Sequence, residues 1–83
     1  MKKDSVYLAH ILEAISDIEQ FMAGVPEKEF LGAKEKQYAV LRALEIIGEA
    51  TKNLSSDLKS ANPQVDWRNI AGMRDKLIHA YFG

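Results

Sequence analysis

The sequence predicts an all-α fold, an antiparallel helical bundle of three long helices plus a short one, and three observations predict it. Apolar residues recur at spacings of three and four over long segments, the period of a helix with one buried face, and nowhere alternate as they would in a strand. Only five Gly and two Pro punctuate 83 residues, which favours a few long elements over many short ones. Cysteine is absent, so packing must hold the elements together, and neither a thiolate metal site nor a thiol nucleophile is available. The length allows one domain, expected over residues 1–83, with a core modest enough that a second subunit would help to stabilise it.

The first helix is expected to start after Asp4 and Ser5, either of which can cap it. Leu8, Ile11, Ile15, Ile18 and Met22 then form the apolar stripe, with Leu12 and Ala14 on its flanks. His10, Glu13, Asp17 and Gln20 lie off that stripe, and the helix should end near Gly24 because Pro26 prevents its continuation. Residues 26–32 read as a connector with one helical turn over 27–31. The second long helix, from about Ala33 to Leu54, is the spine. Val40, Leu44, Ile47 and Leu54 form its stripe, and Ala39, Ala43 and Ala50 a neighbouring row of small residues. Gly48, in mid-helix, costs about 1 kcal/mol relative to Ala, which predicts a close backbone approach there. Ser55 or Ser56 can cap a short helix over 57–60, which must stop before Asn62 and Pro63. Asp66 then caps a last helix running through Trp67, Ile70, Ala71, Leu77, Ile78 and Tyr81.

At 100° per residue from Trp67, the apolar members of this last helix fall between about 280° and 40°, and Arg74 falls at about 340°, in the middle of them. A guanidinium cannot shed its charge, so burial there demands a partner. One reading is an ion pair with Glu45 or Glu49 of the spine; the other is an anion site, which the planar five-donor fork suits. His79 follows about 140° further round. Imidazole serves proton transfer near neutral pH, and a histidine near a helix C-terminus is also simply favoured there by the dipole. For the two groups to meet, either the arginine reaches round the helix or two copies of the helix face each other across a dimer axis.

Formal net charge is −1, which gives the whole chain no electrostatic reason to seek nucleic acid. The distribution is uneven: residues 1–51 carry six Lys/Arg against nine Asp/Glu, and residues 52–83 carry five against three. Lys2 and Lys3 are followed by His10 and Glu13 before a signal core could form, and no apolar run is long enough to cross a bilayer, so the expected location is cytoplasmic with no membrane partner. No ligand set of the His-Glu-x-x-His kind is present, so the expectation is no metal and no cofactor.

The string Arg74-Asp75-Lys76-Leu77-Ile78-His79-Ala80-Tyr81 resembles the Arg-x4-His-x-Tyr signature of the HepT-like branch of the HEPN superfamily. The stretches Leu44-Glu45-Ile46-Ile47-Gly48-Glu49-Ala50 and Pro63 to Arg74 are similar to that family too, in the right order, and the resemblance covers essentially the whole chain. It implies a dimerising helical bundle that cleaves RNA without a metal, in a cleft shared across a homodimer. Arg74 would bind the phosphate, His79 would act as general base or acid after 2′-hydroxyl attack, and Asp75 would orient His79 or a neighbouring arginine. It also implies a toxin paired with a minimal nucleotidyltransferase antitoxin that attaches AMP to the motif tyrosine, here Tyr81. Relatives usually continue into a further C-terminal helix, whereas this chain stops at Gly83. Two other readings stand beside this one. The first is a non-catalytic module that binds a nucleotidyltransferase or its substrate, and the second a structural dimerisation bundle in which Arg74 only pairs with Glu45 or Glu49.

Overall fold

A computed structural model describes residues 3–77, 79 and 80. Its order is α1 (Asp4–Met22), α2 (Glu27–Leu31), α3 (Lys34–Lys52), α4 (Ser56–Ala61) and α5 (Trp67–Leu77), with no strand among the described residues. The all-helical class is as expected. The described residues differ from expectation in having five helices rather than four, because the turn expected in the connector is a helix of its own. Gln37 secures it: the side-chain amide of α3 donates to the carbonyls of Phe30 and Leu31, each at 2.9 Å, at the C-terminal end of α2.

α3 is the spine. α1 and α5 both pack on it, and its buried residues Ala43, Gly48, Ala50 and Thr51 are all small. Small residues let helix axes approach, and at Gly48 they come to backbone distance. A Cβ placed there would lie 3.0 Å from both the Cβ and the backbone N of Arg74, and 3.2 Å from the carbonyl oxygen of Ile70. Only glycine admits α5 at this distance. Thr51 is 1% exposed, and its hydroxyl is satisfied by donating to the Ile47 carbonyl at 2.8 Å.

α1 runs antiparallel to α3, since Asp4 at its start is bonded to Ser55 beyond the end of α3. This corrects the expected cap. Lys3 occupies the N-cap position and no side chain caps the helix. The Asp4 carboxylate instead accepts from the backbone N–H of Ser55 at 2.8 Å and from its hydroxyl at 2.6 Å. Ser55 in turn accepts from the N–H of Leu58 and so caps α4. α1 ends at Met22, where Gly24 adopts φ 69°, a left-handed conformation that starts the reversal into α2.

The buried line of α1 also differs from the expected stripe. Ala14 is buried and Tyr7, Ile11 and Ile18 are half-buried, whereas Leu8, Leu12 and Ile15 are exposed. At 100° per residue the inward direction is turned by roughly 50° from the centre of the expected stripe. That rotation brings His10 and Asp17 toward α3 and leaves Leu12 67% exposed.

At the other end of the chain, Asp66 caps α5 as expected, accepting from the N–H of Asn69 at 3.3 Å and from its side-chain amide at 2.6 Å. The Trp67 indole N–H is shared between the carbonyls of Asn62 at 2.9 Å and Lys59 at 3.2 Å, tying the start of α5 to the end of α4. α5 is α-helical to Leu77 and becomes π-helical at His79 and Ala80.

Candidate functional site

Gly48 fixes where Arg74 leaves α5. With the arginine Cβ against the α3 backbone at Gly48, the head extends along the surface of α3. There the Nε lies 3.2 Å from a Glu49 carboxylate oxygen, and a terminal nitrogen lies 3.4 Å from Asp75. The side chain is 35% exposed, so the charge sits at a rim between protein and water. This explains an arginine centred on an apolar stripe: the facing position on α3 is a glycine, and the stem replaces the side chain that is missing there.

Glu45, the other carboxylate considered for Arg74, is paired with Arg42 one turn back on α3. Asp75 faces the spine: Lys52 donates to both of its oxygens, at 3.0 and 3.2 Å. The lysine hydrogen bond and charge, with a smaller part from Arg74, hold the Asp75 carboxyl below the usual aspartate range. Asp75 therefore contacts Arg74 and Lys52.

Arg74 opens into a cavity of about 400 Å³ between α1, α3 and α5. Arg42, Glu45 and Glu49 line it from α3, together with Ile46 and Ala50, and Tyr7 and His10 from α1. Its charges nearly balance, two arginines against two glutamates. His79 is exposed at the end of α5 and is not among the described residues lining this cavity. Because the helix turns π-helical there, the angle of 140° from Arg74, which assumes an unbroken α-helix, does not describe its final direction. Tyr81 lies outside the described residues.

His10 and Tyr7 were not singled out as site residues from the sequence. His10 was set apart as lying off the apolar stripe, and only the rotation of α1 turns it toward the cavity. The one available signal was local: Tyr7 and His10 are three residues apart and so share a helix face. Their rings meet edge to face, with centroids 6.2 Å apart and planes at 89°.

A helical domain whose central arginine is held at the mouth of a cavity, five positions before a histidine, has the layout of a HEPN-type unit. The comparisons specify the branch. The family described as "Ribonuclease HepT-like" matches residues 11–83, and the chain belongs to that ribonuclease family. It is 56% identical over 77 residues to a protein of Thermococcus cleftensis named "Probable ribonuclease HepT", an alignment covering 93% of this chain and 70% of that protein. Two Methanocaldococcus jannaschii proteins, each named as a candidate RNase, are 51% and 45% identical over 83 residues, with 99% of this chain and 69% of each relative covered. No solved structure matches the chain significantly. No helix among the described residues is long and apolar enough to cross a membrane.

Proposed function

We propose that the protein is a metal-independent endoribonuclease that acts as a homodimer. Membership of the HepT-like family over residues 11–83, which include the whole Arg-x4-His-x-Tyr string, carries this reading. The seating of Arg74 supports it: a guanidinium at a cavity rim, with its stem immobilised against Gly48, is preorganised to receive an anion. In the reaction the 2′-hydroxyl of one nucleotide attacks the adjacent phosphorus and the bond to the 5′-oxygen of the next nucleotide breaks. The products are a 2′,3′-cyclic phosphate and a 5′-hydroxyl. His79 takes the 2′ proton or delivers one to the departing 5′-oxygen, and a dimer supplies an imidazole for each role. Arg74 stabilises the charge that builds on the phosphorane, exchanging part of its contact with Glu49 for the phosphate.

In this reading the protein is the toxin of a toxin–antitoxin pair, with a minimal nucleotidyltransferase as antitoxin. AMP attached to Tyr81 would add phosphate charge and bulk near Arg74 and compete for the phosphate site. The test is RNA cleavage in the presence of a chelator. Wild type is expected to cleave, and Arg74→Ala and His79→Ala are each expected to slow cleavage about 100-fold or more, the scale of removing a proton-transfer or charge-stabilising group. Persistent inactivity of wild type on varied RNAs would overturn the proposal. So would variants that cleave normally and differ only in melting temperature, as a structural role for Arg74 requires.

A further inference from the structure

We infer that the wall of the Arg74 cavity formed by Tyr7 and His10 is a nucleobase subsite, receiving the base of the nucleotide whose 3′-phosphate lies on Arg74. The inference rests on the ribonuclease reading and adds to it where the substrate's base goes and what kind of base is preferred.

Three observations on the two helices carry it. The cavity, at about 400 Å³, is in the size range of small-molecule sites and far exceeds what one phosphate needs. Its α1 wall is aromatic: the edge-to-face Tyr7–His10 pair lines it, with Ile46 and Ala50 of α3 as apolar lining beside them. Bases stack on aromatic rings, whereas a phosphate gains nothing from them. Beyond His10 the groove turns acidic. His10 and Ile46 also line an adjoining cavity of about 180 Å³ whose polar residues are Glu13 and Asp17 of α1.

The electrostatics fix the direction of binding. Arg42, the other arginine of the cavity, is paired with Glu45, and it is Arg74 that is seated against Gly48. A phosphate is therefore drawn to the Arg74 end and repelled by Glu13 and Asp17 beyond His10, and the nucleotide lies with its phosphate on Arg74 and its base toward α1. There the Glu13 and Asp17 carboxylates can only accept hydrogen bonds. They favour bases with an exocyclic amino group, adenine, cytosine and guanine, over uracil, whose edge is mostly carbonyl oxygen. Tyr7 and His10 are therefore assigned to base binding and selection, apart from the proton transfers assigned to His79.

The experiment titrates the protein with the four 3′-nucleoside monophosphates and with inorganic phosphate, following the ring signals of Tyr7 and His10 by NMR. The amino-bearing nucleotides should shift both rings and bind more tightly than 3′-UMP, while phosphate alone should leave the rings unmoved. His10→Ala, at an exposed position, and Tyr7→Leu, which keeps apolar volume, should each weaken nucleotide binding roughly ten-fold, the scale of a lost base–aromatic stack. Inorganic phosphate binding is expected to be unchanged in both. Nucleotides that bind no better than phosphate, or variants that bind like wild type, overturn the subsite. RNA cleavage by the same samples separates the two proposals. Ring shifts without cleavage keep the subsite and remove the ribonuclease, and cleavage with silent rings does the reverse.

Discussion

The two seams along α3 are built differently. Against α5 the helices meet at backbone distance over Gly48, and charges line the edge of the contact, Arg74 with Glu49 and Lys52 with Asp75. Against α1 the contact is at least as extensive but opens along one edge: Ala14 is buried, the start of the helix is fastened by the Asp4–Ser55 clasp, and a cavity lined by Tyr7 and His10 of α1 and by Arg42, Glu45 and Glu49 of α3 lies beside it. A close seam fixes the arginine, and an open one beside it leaves room for something to bind. The division suits a site that needs one rigid electrostatic element and one accessible wall.

The most damaging way to break this contrast is to open the close seam. Gly48→Ala improves helix propensity by about 1 kcal/mol, but the added methyl meets backbone rather than a movable side-chain end, and overpacking of that kind costs about 1–3 kcal/mol. The expected net is a loss of up to about 2 kcal/mol, seen as a fall in Tm of up to roughly 15 °C in a domain of this size. RNA cleavage should fall with it, because α5 carries Arg74 away from the cavity rim. A variant that melts above wild type would mean that the seam is looser than described.

A smaller effect is expected at the start of α5. The Trp67 indole N–H is a second donor to two carbonyls at the end of α4, Lys59 and Asn62, which also accept from the backbone N–H groups of Asn62 and Val65, and it ties α5 to that end. Trp67→Phe keeps most of the ring and removes the donor, for a loss of about 1 kcal/mol by thermal or urea unfolding. Since the change lies at the far end of α5 from the arginine, nucleotide and phosphate binding should remain as in wild type.

The same contrast explains what the sequence disclosed. The close seam was legible because it is written in single residues: a glycine in mid-helix announces a close approach, and an arginine on an apolar stripe announces a partner. The open seam was not. The periodicity of α1 locates a stripe by its largest residues, but the helix buries the small Ala14 and leaves Leu8, Leu12 and Ile15 outside, so the face opposite α3 was misjudged by roughly 50°. His10, exposed and off the apolar stripe as its spacing implies, comes to line the cavity only through this rotation. Asp4 had a plausible local task as a cap, and nothing in the spacing could reveal a serine 51 positions away. Glu45 and Glu49, one turn apart on α3, were equivalent as partners of Arg74 until Arg42 was seen to hold the first.

The finest test separates the seams by their response to acid and salt. Asp4 is held below the usual aspartate range first by the Ser55 hydroxyl and then by the Ser55 N–H, while Asp75 is held there by Lys52. In both the folded state favours the carboxylate. Each therefore contributes stability that is present above the ordinary aspartate range and lost as pH falls through the lowered value. Asp4→Asn and Asp75→Asn should each lower Tm slightly at neutral pH and flatten its decline below about pH 4, the unperturbed range of the group. Salt then tells them apart. At about 1 M the screening length is near 3 Å, so the contribution of the exposed Lys52–Asp75 pair should shrink markedly, while that of the Asp4–Ser55 clasp, made by neutral donors, should persist. Equal salt sensitivity in the two variants would show that α1 too is held by charge, and the distinction between the seams would then rest on Gly48 alone.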